Sequence, residues 1–349
     1  MSDFSARLIA WQQEHGRHGL PWQVADGYKV WLSEIMLQQT QVTTVLDYYP
    51  RFLAKFPTIF DLAAAPLDDV LALWSGLGYY TRARNLHKCA QAVVAQYAGQ
   101  FPSDPALVAE LPGIGRSTAA AIAAFSYGTR AAILDGNVKR VLTRWAGIEG
   151  YPGVKAVENK LWELANALLP QSGIEAYTQG LMDLGATICT PKKPPCVSNP
   201  LTCPMNADCQ ARLSNRQSEL PTPKPKKAVP EKSTVMLIIR NDAGQILLEK
   251  RPPSGIWGGL WSLPEVESTL AAGEIAAQKL GLHIELEPAL PDFVHVFTHY
   301  KLTITPQPAY ALGSIALHEG TSQWFDIQDA LAAGIPTPIR KIISGKLGK

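Results

Sequence analysis

Three groups of residues in the sequence have the types and the spacing of chemistry. The first is Leu111-Pro-Gly-Ile-Gly115, a tight glycine-bearing turn between two stretches of helical periodicity. Free backbone N–H groups where the second stretch opens at Arg116 can point at a phosphate, which makes Gly113 and Gly115 candidate phosphate contacts. An ordinary turn between antiparallel helices uses the same residues, so the hairpin alone leaves both readings open. The second is Asp135, which follows an apolar run in Ala131-Ala-Ile-Leu-Asp-Gly-Asn-Val-Lys-Arg140 and precedes another helical stretch. A carboxylate there caps a helix; it can also steady a developing cation, because a helix N-terminus holds it ionised. The third is the crowding of Cys189, Cys196, Cys203 and Cys209, which asks for a metal. Disulfides would need an oxidising compartment, and no segment directing export is visible. Cys89 stands apart in a helical segment and reads as an inert core thiol.

These groups need elements to position them. From Phe4 to about Ala211 apolar residues recur at spacings of three and four, which predicts helices over 5–15, 28–49, 58–64, 67–76, 82–97, 105–110, 116–125, 137–146, 154–168 and 174–184. The run Leu220-Pro-Thr-Pro-Lys-Pro-Lys-Lys227 cannot continue a helix and has little to bury, so it reads as a linker. Beyond it the pattern turns to β alternation, with strands expected over 234–240, 245–251, 283–286, 294–297, 300–305 and 323–325, and helices over 269–280 and 339–344. The 349 residues thus divide into an all-α domain 1–217, a linker 218–232 and an α+β domain 233–349. A net charge of +2, from 32 basic and 30 acidic residues, does not announce a nucleic-acid binder; local patches must do that. No stretch approaches the roughly 20 apolar residues of a membrane helix, and a cytoplasmic protein is expected.

Trp31-Leu-Ser-Glu-Ile-Met-Leu-Gln-Gln-Thr-Gln41, Gly76-Leu-Gly-Tyr-Tyr80, Arg84-Asn-Leu-His87, Leu111 to Thr118 and Leu134-Asp-Gly-Asn-Val138 together resemble the helix-hairpin-helix glycosylases of the endonuclease III superfamily. Within it they are most similar to the MutY family of adenine DNA glycosylases, and they cover nearly the whole first domain. The resemblance implies that Glu34 is a general acid that protonates adenine N7, its helix face shared with apolar Val30 and Leu37, which would raise its pKa. Without the family, a single Glu on a helix reads as solvated charge. Asp135 would stabilise the oxocarbenium-like sugar or bond to it transiently, with Asn137 positioning groups nearby. An adenine in a duplex must be flipped out. By resemblance Gln39 and Tyr79 wedge into the stack, Trp22 and Leu37 line the base pocket, and Gln179 hydrogen-bonds adenine; Tyr79 as a core aromatic is the alternative. Ser117 stands where bifunctional relatives carry a Schiff-base lysine, so cleavage of the base without the strand is expected. Lys139 reads as a phosphate contact, or as an incidental trap for the abasic sugar.

The family ligates one 4Fe-4S cluster through cysteines separated by six, two and five residues. Here the intervals are six, six and five, so four residues are extra between Cys196 and Cys203. The thiolates can still converge if Val197 to Thr202 bulges outward, with Asn199-Pro200 turning the chain; zinc or a defective site is the alternative. Lys192 and Lys193 could meet phosphates.

The second domain resembles the Nudix-related domain of the same family, most visibly in Arg251-Pro-Pro-Ser-Gly-Ile-Trp-Gly-Gly-Leu-Trp261. A working Nudix hydrolase needs a carboxylate array for magnesium, and Ser268 to Gly281 holds only Glu274. In the family this domain senses 8-oxoguanine through a Phe-Ser-His loop, and Phe297-Thr298-His299 occupies that place; a strand without a ligand is the alternative. The resemblance as a whole implies an all-α helix-hairpin-helix glycosylase domain with an iron-sulfur cluster loop, joined to an α+β Nudix-like C-terminal domain. Its substrate would be double-stranded DNA with adenine opposite 8-oxoguanine or guanine, and the enzyme a nucleoid-associated monomer of the cytoplasm, away from membranes. A bifunctional lyase acting on oxidised pyrimidines and a non-catalytic DNA-binding protein are the competing readings.

Overall fold

The computed structural model describes residues 3–196, 198–225, 228–313 and 321–346. Met1 and Ser2, Val197 of the expected bulge, Lys226 and Lys227 of the expected linker, and 314–320 and 347–349 of the second domain lie outside these. The chain forms two compact units, one of Met1–Ala63 with Lys88–Lys226, the other of Ala64–His87 with Lys227–Lys349. The division expected from sequence put 64–87 wholly in the first domain.

Helices run over Phe4–His15 (α1), Gly27–Leu37 (α2), Val42–Lys55 (α3), Ile59–Ala64 (α4), Leu67–Trp74 (α5), Thr81–Tyr97 (α6), Pro105–Ala109 (α7), Arg116–Tyr127 (α8), Gly136–Ala146 (α9), Lys155–Ala167 (α10), Ile174–Asp183 (α11) and Gln210–Leu213 (α12). No helix among the described residues is long and apolar enough to cross a membrane. The single helix expected over 28–49 is two helices. Gln39 adopts φ 59° in the left-handed region, which no residue holds inside a right-handed helix, and the chain breaks between Leu37 and Val42. Phe4, Leu8 and Trp11 of α1, Ala120, Ala121 and Ala124 of α8, Leu134, Val138, Leu142, Tyr177 and Leu181 share one core. Small side chains on α8 let neighbouring backbones come close. That core fixes the start of α9, and with it Asp135.

In the second unit Glu231–Arg240 (β1), Ile246–Lys250 (β2), Trp261–Ser262 (β3), Glu265–Val266 (β4), His283–Leu286 (β5), Phe293–Val296 (β6), Lys301–Leu312 (β7) and Ser322–Phe325 (β8) make one sheet. Its main path is β3-β2-β1-β7-β5; β1 and β7 are parallel, while β6 lies antiparallel on β7 with Val296 opposite Lys301. β7 runs seven residues past the expected end at Thr305, through Pro306 and Pro308. The missing N–H groups of these prolines fall in the gap between β5 and β6, where their carbonyls accept from Leu290 and Glu287 N–H at 2.9 and 3.0 Å, so no ladder bond is lost. The helix expected over 269–280 is present as a 3-10 turn, an α turn and a π turn in succession. Residues 64–87 join this unit through Ser75 Oγ, which donates to the Ile335 carbonyl at 2.8 Å, the ion pair of Asp68 with Lys250, and Arg84 Nη1, which donates to the Gly258 carbonyl.

Candidate active site

Asp135 caps α9: its backbone is extended and its Oδ1 accepts from Val138 N–H at 2.8 Å. Burial raises its pKa, opposed by the N–H groups of Val138 and Asn137 and by Arg140 and Lys139. Ser117 Oγ accepts from Leu134 N–H at 2.9 Å, tying the hairpin's second helix to the residue before Asp135. Asn137 Oδ1 accepts from Arg140 Nη2 at 2.8 Å, and the same nitrogen donates to the Gly185 carbonyl at 2.6 Å. A Cβ on Gly185 would lie 2.5 Å from that of Asn137, so only glycine admits this approach. Lys139 is held by Glu158 at 2.7 Å. In the hairpin Gly113 needs its φ of 78°, whereas Gly115 has an ordinary extended backbone and a Cβ there would meet nothing in the chain.

Glu34 lies on α2 and lines a cavity of about 420 Å³ together with Trp22, Val30, Leu37, Gln179 and Arg17. Burial, and secondarily the charge of Asp135, pushes its carboxyl up to about 8. Trp22 is buried edge-on against Tyr49, with ring centres 5.4 Å apart, which makes it a fixed wall. Gln179 Nε2 donates to Asp183 Oδ1 at 2.8 Å, and Asp183 also receives Arg17 Nη2 at 2.7 Å. Gln39 is exposed at the α2–α3 break, outside this lining. Of the expected site residues, this cavity gathers Trp22, Glu34, Leu37 and Gln179.

The four clustered cysteines line one small pocket, about 20 Å³ in volume, with Arg144, Asn206 and Arg212. Arg144 donates through Nη1 to Cys189 Sγ at 3.4 Å and to the Thr190 carbonyl at 2.7 Å. Asn206 Nδ2 donates to the Cys196 carbonyl at 2.8 Å and closes the long interval. Within that interval Ser198 to Leu201 are exposed, Leu201 by 95%. No three His, Cys, Asp or Glu side chains among the described residues are drawn close enough to hold a single metal ion. Burial raises the thiol pKa of Cys196, Cys203 and Cys209, in Cys203 to about 12. Lys192 and Lys193 are exposed.

The second unit has its own cavity, of about 440 Å³, lined by Tyr79, Arg84, Trp257, His295, Phe297, Thr298 and His299 among others. Phe297 to Tyr300 is the tight turn joining β6 to β7, with Phe297 N–H donating to the Tyr300 carbonyl at 2.9 Å. The Phe297 ring stacks on Tyr300 at 4.5 Å and meets His295 edge-on at 4.6 Å and Trp257 at 5.4 Å, leaving Thr298 and His299 exposed at the tip. Tyr79 is 44% exposed with φ 48°, a backbone conformation an L-residue holds only at a cost.

Two families match this architecture. Residues 32–167 match the HhH-GPD superfamily of base excision DNA repair proteins, and residues 234–345 match the NUDIX domain. The adenine DNA glycosylase of Buchnera aphidicola (subspecies Acyrthosiphon pisum) is 37% identical over 344 residues, which span 97% of this chain and 96% of that protein. The chain belongs to the adenine DNA glycosylase family. The human adenine DNA glycosylase is 32% identical, over 97% of this chain and 73% of its own length. Among solved structures, a thermostable thymine-DNA glycosylase superposes with a TM-score of 0.54 at 30% identity, covering 60% of this chain and 95% of that one.

For a member of this family, several contacts at the site were invisible in sequence. Asp183 stands behind Gln179 and pairs with Arg17, 166 positions away in the chain. Arg140 joins Asn137 to Gly185 and to the Cys189 carbonyl, the latter at 2.7 Å, and no motif marks it. The signal available was weak: a carboxylate one helical turn after Gln179.

Proposed function

We propose that this chain removes adenine from double-stranded DNA in which adenine stands opposite 8-oxoguanine or guanine, breaking the N-glycosidic bond without cutting the strand. One observation carries the reading: Glu34, with its carboxyl pushed up to about 8, faces a cavity whose wall also presents Trp22, Leu37 and the amide of Gln179. A carboxyl that stays protonated at neutral pH is an acid in waiting. Glu34 gives its proton to adenine N7, and the electron pair of the C1′–N9 bond leaves with the base. The positive charge that remains on the sugar falls to Asp135 in its ionised form; burial raises its pKa, and the N–H groups of Val138 and Asn137 with the charges of Arg140 and Lys139 oppose that rise. Water adds to C1′, its proton returns to Glu34, and Asn137, braced by Arg140, steadies the helix start beside the sugar.

The remaining roles follow the same chemistry. Gly113 and Gly115 bring backbone N–H groups to a phosphate; the open space at Gly115 supports this, because nothing inside the chain requires a glycine there. Gln39 and Tyr79, both exposed and both in left-handed backbone, enter the base stack. Ser117 has no amine with which to form a Schiff base, and its hydroxyl is committed to Leu134. Lys139 reaches a phosphate by exchanging Glu158 for it. Phe297, Thr298 and His299 read the 8-oxoguanine partner, with a stacked ring beneath an exposed hydroxyl and imidazole.

Cys189, Cys196, Cys203 and Cys209 fit one 4Fe-4S cluster, since four thiols spread around one space suit a cluster in which each thiolate binds its own iron. When bound, such a cluster supplies a structural cross-link to this loop. The test of the function is release of adenine from duplexes carrying A:8-oxoguanine and A:G pairs. Alkali-labile sites are expected from both pairs with wild type and from neither with Asp135→Asn. Strand cleavage without alkali would favour the bifunctional reading.

A further inference from the structure

Three side chains at the wall of the Glu34 cavity form a directed chain of hydrogen bonds. Arg17 donates to Asp183 through its backbone N–H at 2.8 Å, Nε at 2.7 Å and Nη2 at 2.7 Å. Asp183 is 1% exposed, and its Oδ1 also accepts from Gln179 Nε2 at 2.8 Å. Arg17 and Gln179 line the cavity; Asp183 lies behind them. A carboxylate facing a guanidinium is an acceptor only, so the Gln179 amide can turn nothing but its nitrogen toward it. Oε1 is then left to accept, and the second hydrogen on Nε2 is left to donate.

Adenine carries a donor, the N6 amino group, beside an acceptor, N1. A 6-oxopurine reverses both, with an acceptor at O6 and a donor at N1. We infer that Asp183, braced by Arg17, is a positioning residue that fixes the polarity of the Gln179 amide and so makes this cavity select a 6-aminopurine over a 6-oxopurine. The inference rests on the reading of the chain as an enzyme that excises adenine. A buried carboxylate costs stability unless it is fully paired, and Arg17 alone pairs it. The additional bond to a side chain on the cavity wall is what a specificity role requires. With the amide locked, a 6-oxopurine meets acceptor with acceptor and donor with donor, and the site cannot relax by turning the amide over.

The test is single-turnover excision from duplexes holding adenine or hypoxanthine opposite 8-oxoguanine. Asp183→Asn offers Gln179 a partner of either polarity. It is expected to lower the adenine-to-hypoxanthine rate ratio at least tenfold, with hypoxanthine release unchanged or faster. If that variant does not fold, Asp183→Ser removes the acceptor-only constraint with a smaller group and serves in its place. Gln179→Leu keeps the shape of the wall without the amide and is expected to lower the ratio by a similar factor. Parallel loss of both substrates in the Asp183 variants, or a wild-type ratio in Gln179→Leu, overturns the inference. Wild type that releases adenine while the variants keep its ratio defeats this inference alone; wild type that releases no adenine defeats the excision reading with it.

Discussion

The two units each hold a cavity of nearly the same volume, about 420 Å³ around Glu34 and about 440 Å³ around Phe297, yet they are lined by different chemistry. The first sets a titratable carboxyl and an amide on regular helices, with the guanidinium of Arg17 on the segment that follows α1 and Asp135 at a helix start acting on Glu34 through its charge. The second sets aromatic and imidazole rings around an exposed turn, with Trp257 and Tyr79 in left-handed backbone. Making and breaking a bond needs groups whose protonation is set by burial, and rigid helices hold them to their distances. Reading a base needs a hard face under an accessible tip, which stacked rings provide with little conformational freedom left to lose.

The contrast can be broken by substitution. Glu34→Gln and Asp135→Asn are each expected to reduce adenine release by about a thousandfold, the scale of a lost general acid or charge stabiliser, measured in single turnover. Thr298→Ala or Phe297→Ala should leave release from A:G duplexes nearly unchanged.

Glu34→Gln should also stabilise the fold. A carboxyl with a folded-state pKa of about 8 and an ordinary value of 4.5 favours the folded state relatively most below pH 4.5 and loses that advantage as pH rises through 8. At pH 7 the deficit is on the order of 3 kcal/mol, which a neutral amide avoids. Denaturant unfolding should show the gap between variant and wild type opening from pH 5 to 8 and constant above. A gap independent of pH would mean that the carboxyl is not held neutral.

Smaller effects sharpen the second half of the comparison. Phe297→Ala is expected to cut the preference for 8-oxoguanine over guanine partners about tenfold, the size of one lost stacking or hydrogen-bonding contact. Equal losses on both partners would place the turn outside base reading. Deleting Ser198 to Leu201 restores the family's spacing and removes exposed residues only, so iron content and melting temperature should stay at wild-type values.

What could be read from sequence was local. The hairpin at Gly113, the cap at Asp135 and the strand β2 each depend on a few consecutive residues, and their elements lie where the local pattern put them. The break at Gln39 escaped because the apolar periodicity of α2 resumes in α3, and a left-handed residue between them leaves no mark on a hydrophobic pattern. The extension of β7 escaped because a proline is an obstacle only where its N–H is needed, and that depends on the partner strands. Glu34 read as a general acid only through the family resemblance, since by itself a helical glutamate reads as solvated charge until α8 and α11 bring Phe125 and Gln179 to the cavity it faces. The Asp183–Arg17 bracing joins residues far apart in the chain, and only the packed fold reveals it.

The central claim, that Glu34 waits protonated beside an ionised Asp135, is tested most directly by the pH dependence of kcat/KM for adenine release, which reports the free enzyme. The account predicts a fall in rate as pH rises through about 8, absent from the residual activity of Glu34→Gln. A wild-type profile that stays level to pH 9.5, or a basic limb that survives in Glu34→Gln, would contradict it.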